Sequence, residues 1–420
     1  MLPNIRMARF VDKCCPRSEV VAVEDMLSAS RFFAALAFLA IVPLLDAYAD
    51  KEVLALPWAD IKVQSLATLD NPWAMAFLPD GRLLITEKPG NLRIYADGKL
   101  SKPIGGVPKV EYHEQGGLLD VAVDPDFVNN QLVYLSYTEA APEQPADAKD
   151  EGDPRLGEYQ DLNDVVLKGL AVARGRLDSD QLKDVQVIWR QIPKTIGRGH
   201  FGGQLIFDPN GKLFITSGDR QRFDPAQDLG STLGKIVRIN PDGSTPPDNP
   251  FVNQTGALPE IWSLGHRNPL GVAFSPASGK LWEHEMGPKG GDEVNIIEKG
   301  KNYGWPIVSE GSHYNDVPIP HHAEKAEFTP PLKFWNPAIS PSGLTFYTAD
   351  KFKDLKGKAL LGGLSSEALI VLTIQDDKVL DDSIVKIGHR IRDVAQMPDG
   401  SLLLLTDGDN AELLRLAPSG

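Results

Sequence analysis

The chain has 420 residues, 42% apolar and 8% aromatic, enough to bury one large core or two ordinary ones. A formal net charge of -14 argues against nucleic acid as a partner, because phosphate binding needs clustered Lys and Arg and none appears. With 38 Gly and 33 Pro punctuating short apolar runs, the composition favours an all-β protein over a helical one.

Residues 1–49 read as a leader. Arg31 precedes an uncharged apolar run from Phe32 to Leu45, and Ala47-Tyr48-Ala49 gives a small-x-small cleavage pattern before Asp50. The run is too short to span a bilayer comfortably, so the expectation is a cleavable Sec-type signal peptide, a periplasmic location and no stable membrane insertion after cleavage. A retained membrane anchor is the competing reading. The mixed-charge stretch before Met26 points to translation starting there rather than at Met1. Removing 1–49 takes away five cations (Arg6, Arg9, Lys13, Arg17, Arg31) and five anions (Asp12, Glu19, Glu24, Asp25, Asp46), so the charge stays at -14. Both cysteines, Cys14 and Cys15, leave with it, and the mature chain must be held without disulfides.

From residue 50 onward one phrase recurs: an apolar pair, a Pro-Asp-Gly or similar turn, then a strand ending in Thr or Ser. It begins at Met75 (MAFLPDGRLLITE), Leu119, Gly203 (GQLIFDPNGKLFITSGD), Leu270, Ser342 and Ile391 (IRDVAQMPDGSLLLLTD). An Asp-Gly or Asn-Gly turn between apolar runs accepts positive φ and is a strong hairpin signal. Each copy is followed by further strand, as in LRIYADGK, so six units of four strands predict a single six-bladed β-propeller over 50–420. Two stacked sandwiches are the alternative. In the ring, the last strands (391–416) pair beside the first and remove the open edge. An acidic, Pro-containing insert near 141–164 is expected as a solvated loop or lid.

Within the blades, chemistry-bearing residues collect just before or at the start of the recurring hairpins. Gln115 sits on the turn Gln115-Gly116-Gly117. His200 lies in a run of four glycines, Gly197-Arg198-Gly199-His200-Phe201-Gly202-Gly203, where close backbone approach suits a ligand-facing base; an ordinary turn histidine is the competing reading. Residues 260–306 combine donors (Arg267, Asn268), a Gly287-Pro288 turn, an acidic group (Glu283, Glu285, Asp292, Glu293) and an aromatic close (Tyr303, Trp305). That mixture suits an anionic, metal-bridged ligand, or else a polar surface loop. Arg390 and Arg392 fall on one face of a strand, where a solvated, paired edge is the usual outcome. His321-His322 in a Pro-flanked loop reads as surface loop rather than metal site, and Asp219-Arg220 and Asp407 read as turn and pairing residues. In a propeller the loops that enter successive blades converge on the channel mouth, so these signals share one face.

The segments EQGGLLDVAVDPDF, GHFGGQLIFDP, LGHRNPLGVAF, EMGPKGGDEVNIIEKGKNYGWP and HRIRDVAQMPDGSLLLLTD resemble the soluble PQQ-dependent aldose sugar dehydrogenases, glucose/sorbosone dehydrogenase-like periplasmic propellers, from about Trp73 to Leu416. The resemblance implies that His200 is the general base, and that Gln115, Arg267, Asn268, Tyr314, Arg390 and Arg392 contact quinone or substrate. It implies that the Gly287 and Pro288 carbonyls hold a Ca2+ bridging to PQQ, and that Glu293 with Tyr303 forms a further calcium site. Three departures stand out: Gly199 where relatives place Asp or Asn, Ser365 where a cation is usual, and Ala338 in place of a hydroxyl.

The activity so implied is oxidation of an aldose at its anomeric carbon to a lactone by hydride transfer to PQQ. His200 takes the hydroxyl proton, Arg267 and Ca2+ stabilise developing charge, and electrons pass to an external acceptor. A nicotinamide route lacks its glycine fingerprint between strand and helix. A calcium-dependent lactonase on the same ring and a non-catalytic ligand-binding propeller are the rival readings.

Overall fold

A computed structural model describes residues 50–56, 59–149, 152–159 and 163–419 of the chain. The expected leader and cleavage pattern over 1–49 lie outside these residues, and no described helix is long and apolar enough to cross a membrane. The described residues form six antiparallel sheets. Their innermost strands are Pro72–Phe77, Leu118–Val123, Gly202–Phe207, Pro269–Phe274, Pro341–Phe346 and Ile391–Gln396. Each touches the next, and the sixth touches the first, so the sheets are the blades of a closed six-bladed propeller.

All six recurring sequence phrases are the inner hairpins of these blades. The turns vary more than the phrase does. Gly81, Gly211 and Gly400 take positive φ as the Asp-Gly and Asn-Gly pairs require. The second blade instead turns through a four-residue helix, Phe127–Asn130, and the fifth through a 3-10 turn, Lys353–Leu355. Second strands such as Leu83–Glu87, Leu213–Ser217 and Leu402–Thr406 are buried along their whole length because blades cover both faces. Apolar side chains therefore collect between neighbouring blades, for example Leu119, Leu170, Leu205, Ile215 and Val237.

Closure comes from the chain ends. Ala59–Leu69 pairs antiparallel with Ala411–Pro418, next to Leu402–Thr406 in the last blade, and Asp50–Leu56 adds a fifth strand outside it. Two carboxylates on the channel wall reinforce the ring. Asp120 accepts from its neighbour Val121 N and, across the blade boundary, from Leu205 N, both at 2.7 Å. Asp393 accepts from Val394 N and from Met75 N, tying the last blade to the first. Burial pushes the Asp120 carboxyl up to about 8 and Asp393 up to about 7, each against the pull of its amide donors.

Replacing Asp120 by Ala strands two buried N–H donors, so Asp120→Ala is expected to lower unfolding free energy by roughly 2–5 kcal/mol. A denaturant midpoint equal to wild type would show that the carboxylate does not hold the second and third blades together.

Candidate active site

Because every inner strand begins at the same end of the ring, the loops that precede them meet there. A cavity of about 310 Å³ at that end is lined from all six blades, by residues including Trp73, Lys88, Gln115, Phe201, Asn268, Ser340, Arg390 and Arg392. Four of the residues singled out in the sequence, Gln115, Asn268, Arg390 and Arg392, share this wall.

His200 stands beside it. The residue is 5% exposed and its backbone adopts φ +53, in the left-handed region, which costs energy unless the surroundings hold it. They do so on three sides. His200 N donates to Gln115 Oε1 at 2.9 Å, its carbonyl accepts from Arg220 N at 3.1 Å, and Gly218 passes so close that a Cβ there would meet the His200 carbonyl at 2.2 Å. The ring Nδ1 lies 2.6 Å from Asp219 Oδ1, which leaves Nε2 as the nitrogen able to accept a proton. Asp219 Oδ2 accepts from Trp305 Nε1 at 2.7 Å. Asp219 is thus more than the turn residue expected from the sequence: it orients the imidazole. The residue before His200 is a glycine. Gly199 is packed among Gln115 and Gln221, where a Cβ would meet side-chain atoms at 3.1–3.2 Å, and the orienting carboxylate comes from Asp219, just past the strand Leu213–Ser217.

Arg267 is buried against the aromatic faces of Trp305 and Tyr314, at 5.3 and 5.8 Å from the ring centroids. Its Nη1 donates to the carbonyls of Met286 and Gly287, and Nη2 to the Tyr314 hydroxyl at 3.2 Å; Nε–H has no partner. Burial first, and then the Arg267 charge, hold the His200 imidazole below the usual histidine range against the pull of Asp219, so the ring is neutral at neutral pH. Arg390 and Arg392 both clamp Asp407, the first through Oδ2 and the second through Oδ1, and the pairing expected for Asp407 is what is observed. Lys88 completes a three-cation wall; burial and the Arg392 charge hold its ammonium low. Nothing in the sequence around Lys88 marks it, since it lies in an ordinary Glu-Lys-Pro-Gly turn. The two other departures sit together, with Ser365 Oγ donating to the Ala338 carbonyl at 3.4 Å.

Behind Arg267 a cavity of about 10 Å³, the size of one water or ion, is lined by Arg267, Glu285, Gly287, Glu293 and Tyr303 among others. Three of the four expected metal residues therefore line one space, with Pro288 following Gly287 in the same turn. The Tyr303 hydroxyl is already engaged, donating to the Ile296 carbonyl and accepting from Glu298 N, and its carbonyl lies 3.0 Å from His322 Nε2. His322 is buried, contrary to the surface loop expected, and both His321 and His322 bind Glu310. Next to this cavity, Glu283 faces Asn295 and Glu285 faces Glu293 across paired strands, so all four project from one face of the sheet. His266 Nδ1 lies 3.2 Å from Glu285 Oε1, and His266, Glu283 and Glu285 present ligand atoms within 4.8 Å of one another. Glu283 Oε1 and Asn295 Oδ1 are buried with no hydrogen-bond partner. Burial and the Glu285 charge raise Glu283 and Glu293 well above the usual carboxylate range. Orphaned acceptors among crowded carboxylates are the environment a hard divalent cation stabilises.

Comparison with known proteins places this geometry. The family described as Glucose / Sorbosone dehydrogenase matches residues 69–415, and the chain belongs to it. It is 43% identical to the aldose sugar dehydrogenase YliI of Escherichia coli, over 83% of this chain and 91% of that one. It is 29% identical to quinoprotein glucose dehydrogenase B of Acinetobacter calcoaceticus, over 86% and 90% of the two chains. The PQQ-bound aldose sugar dehydrogenase of Streptomyces coelicolor superposes with a TM-score of 0.66 at 27% identity, covering 86% of this chain and 99% of that one. The apo-form of the Escherichia coli enzyme gives 0.76 at 41%, covering 85% and 99%.

The Asp219 contact makes an expectation independent of any activity. Its carboxylate is what raises the imidazole pKa against burial and Arg267. In an NMR titration His200 is expected to titrate below an ordinary histidine, and lower still in Asp219→Asn; a rise in that variant would show that the carboxylate is not the ring's partner.

Proposed function

We propose that this chain is an exported, PQQ-dependent, calcium-requiring dehydrogenase that oxidises aldose sugars at the anomeric carbon to lactones and passes the electrons to an external acceptor. The observation that carries the reading is a neutral, carboxylate-oriented histidine beside a cavity walled by Lys88, Arg390 and Arg392. Three cations on one wall, amides from Gln115 and Asn268, and apolar surface from Trp73, Phe201, Leu270 and Met286 suit a flat, anionic tricarboxylate. Tyr314, which shares Arg267, belongs to the same proposed set of contacts. The small cavity and the orphaned acceptors beside it suit calcium, with the Gly287 and Pro288 carbonyls proposed to hold one ion and Glu293 with Tyr303 a further one. The Gly287 carbonyl, which has two lone pairs, serves Arg267 as well.

When bound, the quinone supplies the two-electron acceptor and calcium supplies Lewis acidity. The chain's own residues do the rest. His200 Nε2 takes the proton of the anomeric hydroxyl, and Asp219 keeps Nδ1 protonated and stabilises the imidazolium that results. Trp305 fixes Asp219 in turn. Arg267 places a fixed positive charge beside the site where negative charge grows, at no reorganisation cost during the reaction. Because His200 must be neutral, activity is lost as pH falls through its folded pKa, which lies below the ordinary histidine value. The rival lactonase needs side-chain ligands on the channel axis, and the carboxylates there, Asp120 and Asp393, are spent on backbone amides.

With PQQ and Ca2+ restored, His200→Ala is expected to lose two to four orders of magnitude, roughly, in aldose-driven dye reduction while the quinone absorbance still titrates in. Wild-type turnover in that variant would sink the assignment of the base. Calcium is expected to raise the melting temperature of the wild-type protein and a chelator to lower it, with a smaller response in Glu293→Gln. A melting temperature indifferent to calcium would remove the metal from the proposal.

A further inference from the structure

The loop that carries His200 is rich in glycine and has little stiffness of its own, so something outside it must set its shape. Arg220 is the group that does. It is 1% exposed, and each nitrogen of its guanidinium donates inward: Nε to the Gly199 carbonyl at 3.0 Å, Nη2 to the Gly197 carbonyl at 2.6 Å, and Nη1 to the Lys168 carbonyl at 2.9 Å and Thr195 Oγ1 at 3.0 Å. Its Cζ lies 3.9 Å from the ring centroid of Phe201, the residue after His200 and part of the cavity wall. Lys168 opens the third strand of the preceding blade, Lys168–Asp178, so the guanidinium ties the mobile-prone glycines to rigid sheet.

We propose that Arg220 is a positioning residue for the base: its fork sets the conformation of residues 197–201 and so aims the His200 imidazole at the cavity. The inference rests on the reading of His200 as that base. Arg220 and Asp219 act as one unit, since Asp219 holds the ring while Arg220 holds the backbone on both sides of it, its own N–H included. A lysine cannot substitute, because a single ammonium reaches one or two of carbonyls that a planar fork reaches together. The charged groups around His200 are Asp219, Arg267 and Arg220; those around Arg220 are Arg222, Asp164 and Asp219. Burial and the Arg222 charge pull the guanidinium down to about 9 against Asp164 and Asp219, and all three of its nitrogens donate to backbone or side-chain oxygens.

The test compares Arg220→Lys, Arg220→Met, Thr195→Val and His200→Ala in protein reconstituted with PQQ and Ca2+. Arg220→Lys keeps the charge and loses the fork. It is expected to lower kcat by about tenfold to a hundredfold, the scale of a small misplacement of a catalytic group, with KM for the aldose, quinone binding and the acid limb of the pH profile unchanged. Arg220→Met is expected to lower kcat likewise and to move the acid limb to higher pH, because a cation that depresses His200 is gone. Thr195→Val removes one of the four bonds at nearly constant volume and is expected to lower kcat by a smaller factor. If the Arg220 variants show no cooperative melt, Thr195→Val decides alone. Wild-type kcat in folded Arg220→Lys or in Thr195→Val, or a change confined to KM, overturns the proposal. Wild-type turnover in His200→Ala overturns the reading of the base, and this inference with it.

Discussion

Ring closure is the constraint on which the site depends. A glutamine from the loop before the second blade, an asparagine from the loop before the fourth and two arginines from the sixth can line one cavity only if the blades are held in a circle. The pairing of Ala59–Leu69 with Ala411–Pro418 is what fixes the circle, because it recruits the N-terminal strand into the last blade and leaves the ring without an internal edge. Asp120 and Asp393 act at the same level from inside, each spanning a blade boundary with one carboxylate oxygen. In a chain whose described residues contain no cysteine, hydrogen bonds of this kind do what disulfides do elsewhere.

The site itself is organised by opposed charges held apart by short hydrogen bonds. Arg267 lowers the imidazole pKa while Asp219 raises it, and burial decides the balance toward neutrality. On the far wall one carboxylate, Asp407, serves two guanidiniums, so the Arg390–Arg392–Asp407 group retains net positive charge. The fourth blade carries the reverse: Glu283, Glu285 and Glu293 crowd one sheet face with His266 and few donors. Positive and negative regions are thereby separated by Arg267, whose guanidinium spans from the acidic turn at Gly287 to Tyr314.

The fold was legible because its information is local. A hairpin turn and an alternating strand declare themselves within a dozen residues, and six such phrases at long spacing admit few architectures. The convergence of Gln115, Asn268, Arg390 and Arg392 followed from topology alone, since each precedes or opens an inner strand. What escaped was whatever depended on contacts across blades. Asp219 looks like a turn residue beside Gly218, and only the packing of the strand end against the His200 loop turns it into the ring's partner. Lys88 belongs to an unremarkable turn, and His322 looked solvent-facing until Glu310 and the Tyr303 carbonyl were found around it. Side-chain pairing over 19 to 86 residues, as in His200–Asp219 and Asp219–Trp305, leaves no periodic trace.

The three departures from the family pattern illustrate how such a site tolerates change. Gly199 cannot carry an orienting side chain, and the carboxylate that replaces it reaches the ring from Asp219 without altering the imidazole's environment in kind. Ser365 gives up a cation, yet the wall already holds Lys88, Arg390 and Arg392 against two carboxylates, Glu114 and Asp407. Ala338 gives up a hydroxyl at a point where its own carbonyl accepts from Ser365, so the two changes meet in one exposed hydrogen bond. Loss of a favourable contact at an exposed rim costs little, whereas an uncompensated charge or orphaned donor beneath the cavity would cost several times more. Ser365 is exposed and Ala338 half-buried, whereas Gly199 is buried beside His200, and there the change is borne because Asp219 reaches the ring from another loop.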